Sequence, residues 1–108
     1  MLSLRQSNFD SEVMESGLPV LVDFYSDSCI PCKRLSPVLA ELEETCHGRF
    51  RLAKVNINFE PELAETYGIV SLPTLLFFLG GRERKRIEGP VNKDGLIQSI
   101  HEILEGIE

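Results

Sequence analysis

Two cysteines separated by two residues, in the run Ser28-Cys29-Ile30-Pro31-Cys32, are the residues of this chain best placed to do chemistry. They follow an apolar stretch, Val20 to Tyr25, that reads as a strand, and they open a segment of helical periodicity. A thiol at a helix N-terminus faces unpaired backbone N–H groups and the positive end of the macrodipole. Its thiolate is therefore favoured, and it becomes a nucleophile near neutral pH. The second cysteine, one turn further in, can attack the first once that has reacted, so the pair can take up and give back two electrons as a disulfide. Zinc ligation or chance would also account for a lone Cys-x-x-Cys; the strand before it and the helix after it favour the redox reading.

The elements that must position the pair alternate between helical and strand periodicity, without repeats or linkers. Leu2 to Arg5 reads as a short edge strand, and Ser7-Asn8-Phe9-Asp10 opens a short helix to about Ser16, ended by Gly17. Pro19 to Tyr25 is apolar on both faces, as expected for a central strand covered on both sides. From Cys32 to Cys46, Leu35, Val38, Leu39, Leu42 and Cys46 fall at helical spacing with Glu41, Glu43 and Glu44 opposite, and Pro37 should bend that helix. Arg51 to Asn56 is a strand, and Glu60 to Tyr67 a helix stopped by Gly68. Thr74 to Leu79 and Arg82 to Glu88 form a hairpin around Gly80-Gly81. Asn92 caps a last helix whose stripe is Leu96, Ile97, Ile100, Ile103 and Leu104. The order is β-α-β-α-β-α-β-β-α, an α/β domain with a mixed sheet.

At 108 residues and 43% hydrophobic content, the chain is expected to form one domain, residues 1–108, with a small core. Met1 to Arg5 lacks the apolar stretch of about 7–15 residues of a secretory signal, and no run approaches the ~18 apolar residues of a membrane span. A cytoplasmic protein without membrane attachment is expected, in which three cysteines would not build a structural disulfide framework. The net charge of −6 argues against nucleic acid as a partner.

From Phe9 to Leu104 the residues resemble the thioredoxin family. Val20-Leu21-Val22-Asp23-Phe24 is similar to its central strand with a buried acid, and Cys29-Ile30-Pro31-Cys32-Lys33 to its active site. Pro37 matches a helix proline and Lys54 the lysine of the next strand. Tyr67-Gly68-Ile69, Leu72-Pro73-Thr74 and Gly89 match the segments that carry the cis-proline loop and a second substrate-facing loop. The resemblance implies the thioredoxin fold, a central mixed sheet flanked by helices on both faces, with Pro73 cis. It also implies thiol–disulfide oxidoreductase activity on protein disulfides, with no cofactor beyond the Cys29–Cys32 pair and no metal. The partners implied are disulfide-containing proteins and a thioredoxin reductase, generic or dedicated, acting on a monomer. The chain departs from the family's Trp-Cys-Gly-Pro-Cys at Ser28 and Ile30, Tyr25 stands where another Trp is common, and there is no tryptophan at all. Pro31 favours a reducing member over the more oxidising relatives that carry His there.

Within that reading Cys29 attacks the substrate and Cys32, buried and protonated, resolves the mixed disulfide. Asp23, in an otherwise apolar strand, should have a raised pKa and serve as base for Cys32, directly or through one water, with Lys54 tuning it. The alternative for Asp23 is a buried ion pair with Lys54 and no chemistry. The Leu72 backbone beside Pro73 should pair with an extended substrate segment, and Ile30, Pro31, Leu72 and Val91 should supply contact around Cys29. Gly89 would let a neighbouring backbone approach closely, and Pro90 would stiffen that loop.

Cys46 reads as a buried core thiol and His47 as a helix-end surface residue. Cys32 and Cys46 cannot be bridged, because fourteen residues of helix span about 21 Å. For the same reason a zinc site built from Cys29, Cys32, Cys46 and His47 does not close. Arg82, Arg84 and Arg86 have strand period and should line one face of an edge strand. Two other functions on the same fold are a disulfide isomerase or oxidant, and a non-catalytic binding module.

Overall fold

In the computed structural model, which describes residues 1–46 and 48–107 except the side chain of Ile107, five strands form one mixed sheet. His47 lies outside the described residues. The strands are β1 (Leu2–Ser3), β2 (Val20–Tyr25), β3 (Arg51–Asn56), β4 (Thr74–Leu79) and β5 (Arg82–Glu88), and their order across the sheet is β1-β3-β2-β4-β5. β1, β3 and β2 run parallel, and β4 and β5 join antiparallel. Helices α1 (Ile30–Thr45), α2 (Pro61–Thr66) and α3 (Lys93–Ile107) complete the fold, with a single π-helical segment, Asp10–Met14, where the sequence predicts an ordinary short helix. That segment buries Val13.

Alternation along the strands builds two cores. Val20, Val22 and Phe24 of β2 face the π-helical segment and α2, packing with Phe9, Val13, Leu63 and Phe78. Leu21, Leu52, Leu75 and Phe77 face the other way, onto Leu35, Leu39 and Leu42 of α1 and Leu96, Ile100 and Leu104 of α3. Both faces of the sheet are thus covered, which is why β2 is apolar at every position but one. That one is Asp23. It shares the parity of Leu21 and so lies on the α1 side, in register with Lys54 of β3 and Leu75 of β4.

Helix α1 begins at Ile30, just after Cys29 and with Cys32 inside its first turn as the sequence predicts; Pro31 is tolerated there because it removes only an N–H that has no helical partner anyway. Two expectations are corrected. Cys46 is the helix's C-cap and is half-buried rather than buried, resting against the α1–α3 core. The arginine row is broken: a register shift between Phe77 and Phe78 leaves Arg84 without a partner across the ladder. Arg82 then stands opposite Leu79, on the α3 side, while Arg86 stands opposite Leu76 on the other. There Arg86 donates to Glu83 at 3.0 and 2.9 Å and to the carbonyl of Tyr67 at 2.7 Å. The Gly80-Gly81 turn has φ of +61° and +77°, which a two-residue hairpin requires and glycine permits.

Candidate active site

The C-terminal end of β2 delivers the chain into a tight turn, where the backbone N–H of Cys29 donates to the carbonyl of Ser26 at 3.3 Å. Cys29 then stands as the N-cap of α1 in extended conformation, and its sulfur accepts the backbone N–H of Cys32 at 3.2 Å. A cysteine sulfur thus takes the capping role that Ser or Asp usually fills, and it does so at the positive end of a sixteen-residue helix. Cys29 and Cys32 are joined as a disulfide, with Cα atoms 5.2 Å apart. The two sulfurs differ in access. Cys29 is half-exposed, whereas Cys32, inside the first turn, is 4% exposed.

Below Cys32 lies a cavity of about 190 Å³, lined by Asp23, Ser26, Cys32, Ser36 and Lys54 among others. Asp23 is 5% exposed, and its Oδ1 has no hydrogen-bond partner. Burial pushes its carboxyl from an ordinary 3.8 to about 7, against the opposing pull of the Lys54 charge. Among the described residues no Asp23–Lys54 ion pair forms, so Lys54 acts on Asp23 through its field and not as a contact partner.

On the other side of the disulfide, Pro31, Pro73, Pro90 and Val91 line one groove with Arg34 and Val38 of α1. The Leu72-Pro73 bond is cis, and the carbonyl of Pro73 accepts the N–H of Gly89 at 2.8 Å, tying the two loops together. Gly89 is glycine for a different reason than expected. A Cβ there would meet nothing within 4 Å, so close approach within the chain does not demand it; its φ of +82° does. Ile30, 60% exposed, stands outside the groove's lining, as do Leu72 and Gly89.

Two features of the site escaped the sequence. Ser26, just past the end of β2, is buried and lines the Asp23 cavity. A polar clamp also fixes the turn before Cys29: Asn56 Nδ2 donates to Asp27 Oδ1 at 3.0 Å, Asn58 Oδ1 accepts from the backbone N–H of Asp27 at 3.1 Å, and the N–H of Asn58 donates to Asn56 Oδ1 at 3.0 Å. The run Asn56-Ile57-Asn58 just after a strand was the available signal, since asparagines at strand ends bond to nearby backbone. Among the described residues no cluster of three or more His, Cys, Asp or Glu could hold a metal ion, and no helix is long and apolar enough to cross a membrane.

A family model described as Thioredoxin matches residues 1–102 of the chain. The chain is 40% identical over 101 residues to Thioredoxin 1 of Nostoc sp., covering 94% of each. It is 37% identical over 99 residues to a thioredoxin of Rickettsia felis, covering 92% of this chain and 94% of that one. It is also similar, at 33% over 106 residues, to a bifunctional thioredoxin reductase/thioredoxin of Mycobacterium leprae, of which the match spans 23% of the length and 98% of this chain.

Proposed function

The chain belongs to the thioredoxin family, and on that premise we propose how its residues divide the work of thiol–disulfide exchange. The protein is a thiol–disulfide oxidoreductase that uses its own cysteine pair and needs no external cofactor. In the proposed division Cys29 is the nucleophile. What carries this is the Cys32 N–H directed at Cys29 Sγ from the first turn of α1, an interaction that strengthens when the sulfur bears charge. Attack of the Cys29 thiolate on a substrate disulfide gives a mixed disulfide and releases one substrate thiol. Cys32 then attacks Cys29 Sγ, the internal disulfide forms, and the second substrate thiol leaves. Two electrons pass from the pair to the substrate.

Asp23 is the proposed base for Cys32. A carboxyl titrating near the working pH can both hold and release a proton there, and the cavity it shares with Cys32 supports the assignment. Lys54 biases Asp23 toward its ionised form by charge alone. For the substrate we assign the groove at Pro31, Pro73 and Val91, with main-chain pairing at Leu72, apolar contact from the exposed Ile30, and Gly89 shaping the adjoining loop.

The proposed molecule is one domain over residues 1–108, a monomer of the cytoplasm. Its electron donor is a thioredoxin reductase; the Mycobacterium leprae relative, whose name joins the two activities, supports that pairing. A dedicated reductase is supported by Ser28 and Ile30, both exposed around Cys29. Reduction of insulin disulfides in the presence of dithiothreitol tests the function: the chain should accelerate it and Cys29→Ser should abolish the acceleration. An undiminished rate in Cys29→Ser would overturn the assignment.

A further inference from the structure

Ser26 is a buried polar residue to which the exchange chemistry gives no task. It is 8% exposed, follows β2 directly, and lines the cavity that Asp23, Cys32 and Lys54 share. Its backbone is fixed, since its carbonyl accepts the N–H of Cys29 at 3.3 Å. Among the described residues its hydroxyl meets only Ser28 Oγ, at 3.5 Å, the outer limit of a hydrogen bond. A hydroxyl carries one proton to donate and two lone pairs, so most of its capacity is unspent. Asp23 lines the same cavity, and its carboxyl is buried, with Oδ1 unpartnered. Two buried polar groups with unspent capacity, around a cavity of about 190 Å³, make a site where water is held, since a bound water needs only about 10–15 Å³ and two to four polar partners. Ser36 lines the cavity too, but it is exposed on α1 and has bulk water available.

We propose that Ser26 is a positioning residue for the resolving step: its hydroxyl holds the water through which Cys32 passes its proton to Asp23. The inference rests on the reading of Asp23 as base. The Cys32 thiol gives its proton to the water, which gives one of its own to the Asp23 carboxylate. The Cys32 sulfur attacks Cys29 Sγ, and the Cys29–Cys32 bond forms as the bond from Cys29 to the partner's sulfur breaks. The electron pair leaves on the partner's thiolate, which takes a proton from solvent. Ser26 ends the step with the proton it began with.

Single-turnover resolution of a mixed disulfide on Cys29, followed from about pH 6 to about pH 9, tests this in wild type, Ser26→Ala, Ser26→Gly, Ser26→Thr, Asp23→Asn and the Ser26→Ala/Asp23→Asn double variant. Loss of one hydrogen bond to the relay should slow resolution about three- to tenfold at neutral pH in Ser26→Ala and Ser26→Gly and move the inflection of the profile upward. Alkylation of reduced Cys29 should keep its wild-type rate. Ser26→Thr should recover most of the loss, and Ser26→Ala should cost less than about twofold in the Asp23→Asn background. A wild-type profile in both hydroxyl-free variants, no recovery in Ser26→Thr, or an undiminished loss in the double variant would overturn the role of Ser26 while leaving Asp23 as base if Asp23→Asn is slow. An Asp23→Asn protein that resolves at the wild-type rate would overturn the base reading and this inference with it.

Discussion

Asp23 carries a burial cost that the proposed role as base would turn to use. Its carboxyl titrates at 3.8 in an unfolded chain and at about 7 in the folded one, so between those values the folded state binds the extra proton. Stability therefore falls as pH rises through that window; the contribution is intact below about pH 4 and lost above about pH 7. The gap corresponds to on the order of 4 kcal/mol. Asp23→Asn, neutral at every pH, should match wild type in urea melts near pH 4 and exceed it by a few kcal/mol near pH 8. Parallel stability curves for the two proteins would show that the carboxyl is not destabilised by burial. Cys29, Cys32 and Asp23 were legible in the sequence because each breaks a local rule: two thiols at a helix start, and one acid among five apolar strand residues. Ser26 was not, for a serine after a strand is ordinary loop composition and only the folded turn buries it. Gly89 was read for the right position and the wrong cause, since a backbone angle leaves no mark that distinguishes it from a tight approach.

The elements do the positioning, and their ends matter more than their middles. α1 starts under Cys29 because the β2 turn, the Asn56–Asp27–Asn58 clamp and the proline at the second helical position agree on one place to begin. α3 is set in the same way: Asn92 Oδ1 accepts the backbone N–H of Gly95 at 2.7 Å, which holds the first turn against the groove that Val91 and Pro90 line. Asn92→Ala should cost about 1 kcal/mol in denaturant midpoint, with no loss of dithiothreitol-driven activity; a cost below a few tenths of a kcal/mol would mean that the cap is not used. Strands and helices could be read from period and breakers because those report burial face by face. The π-helical turn at Asp10–Met14 and the bulge at Arg84 could not, since each is a one-residue excess that only the packing of neighbouring elements decides. The bulge has a consequence for charge: it separates Arg86, which bridges to Glu83 and the end of α2, from Arg82 on the opposite face.

For the molecule as a whole, the face around Cys29 carries Ser28 and Ile30 where the resemblance leads one to expect Trp and Gly. An indole at the position of Ser28 would offer on the order of 200 Å² to a partner, and its absence forfeits about 2 kcal/mol with a reductase shaped to meet it, about thirtyfold in affinity. Reduction by a generic NADPH-dependent thioredoxin reductase should be poor and reduction by dithiothreitol normal, with Ser28→Trp combined with Ile30→Gly recovering much of the enzymatic rate. Equal specificity constants for the two proteins would refute a partner choice set at these positions. The overall architecture was readable because two apolar cores demand a sheet covered on both faces; which protein meets Cys29 was not, because recognition depends on a second surface. The proposed exchange rests on one asymmetry, that Cys29 attacks and Cys32 resolves. Incubation of Cys32→Ser and Cys29→Ser with a disulfide-bearing protein, followed by non-reducing mass analysis, measures it directly. A stable adduct mapped to Cys29 in Cys32→Ser, with none at Cys32 in Cys29→Ser, is the predicted result; an adduct forming on Cys32 as fast as on Cys29 would contradict it.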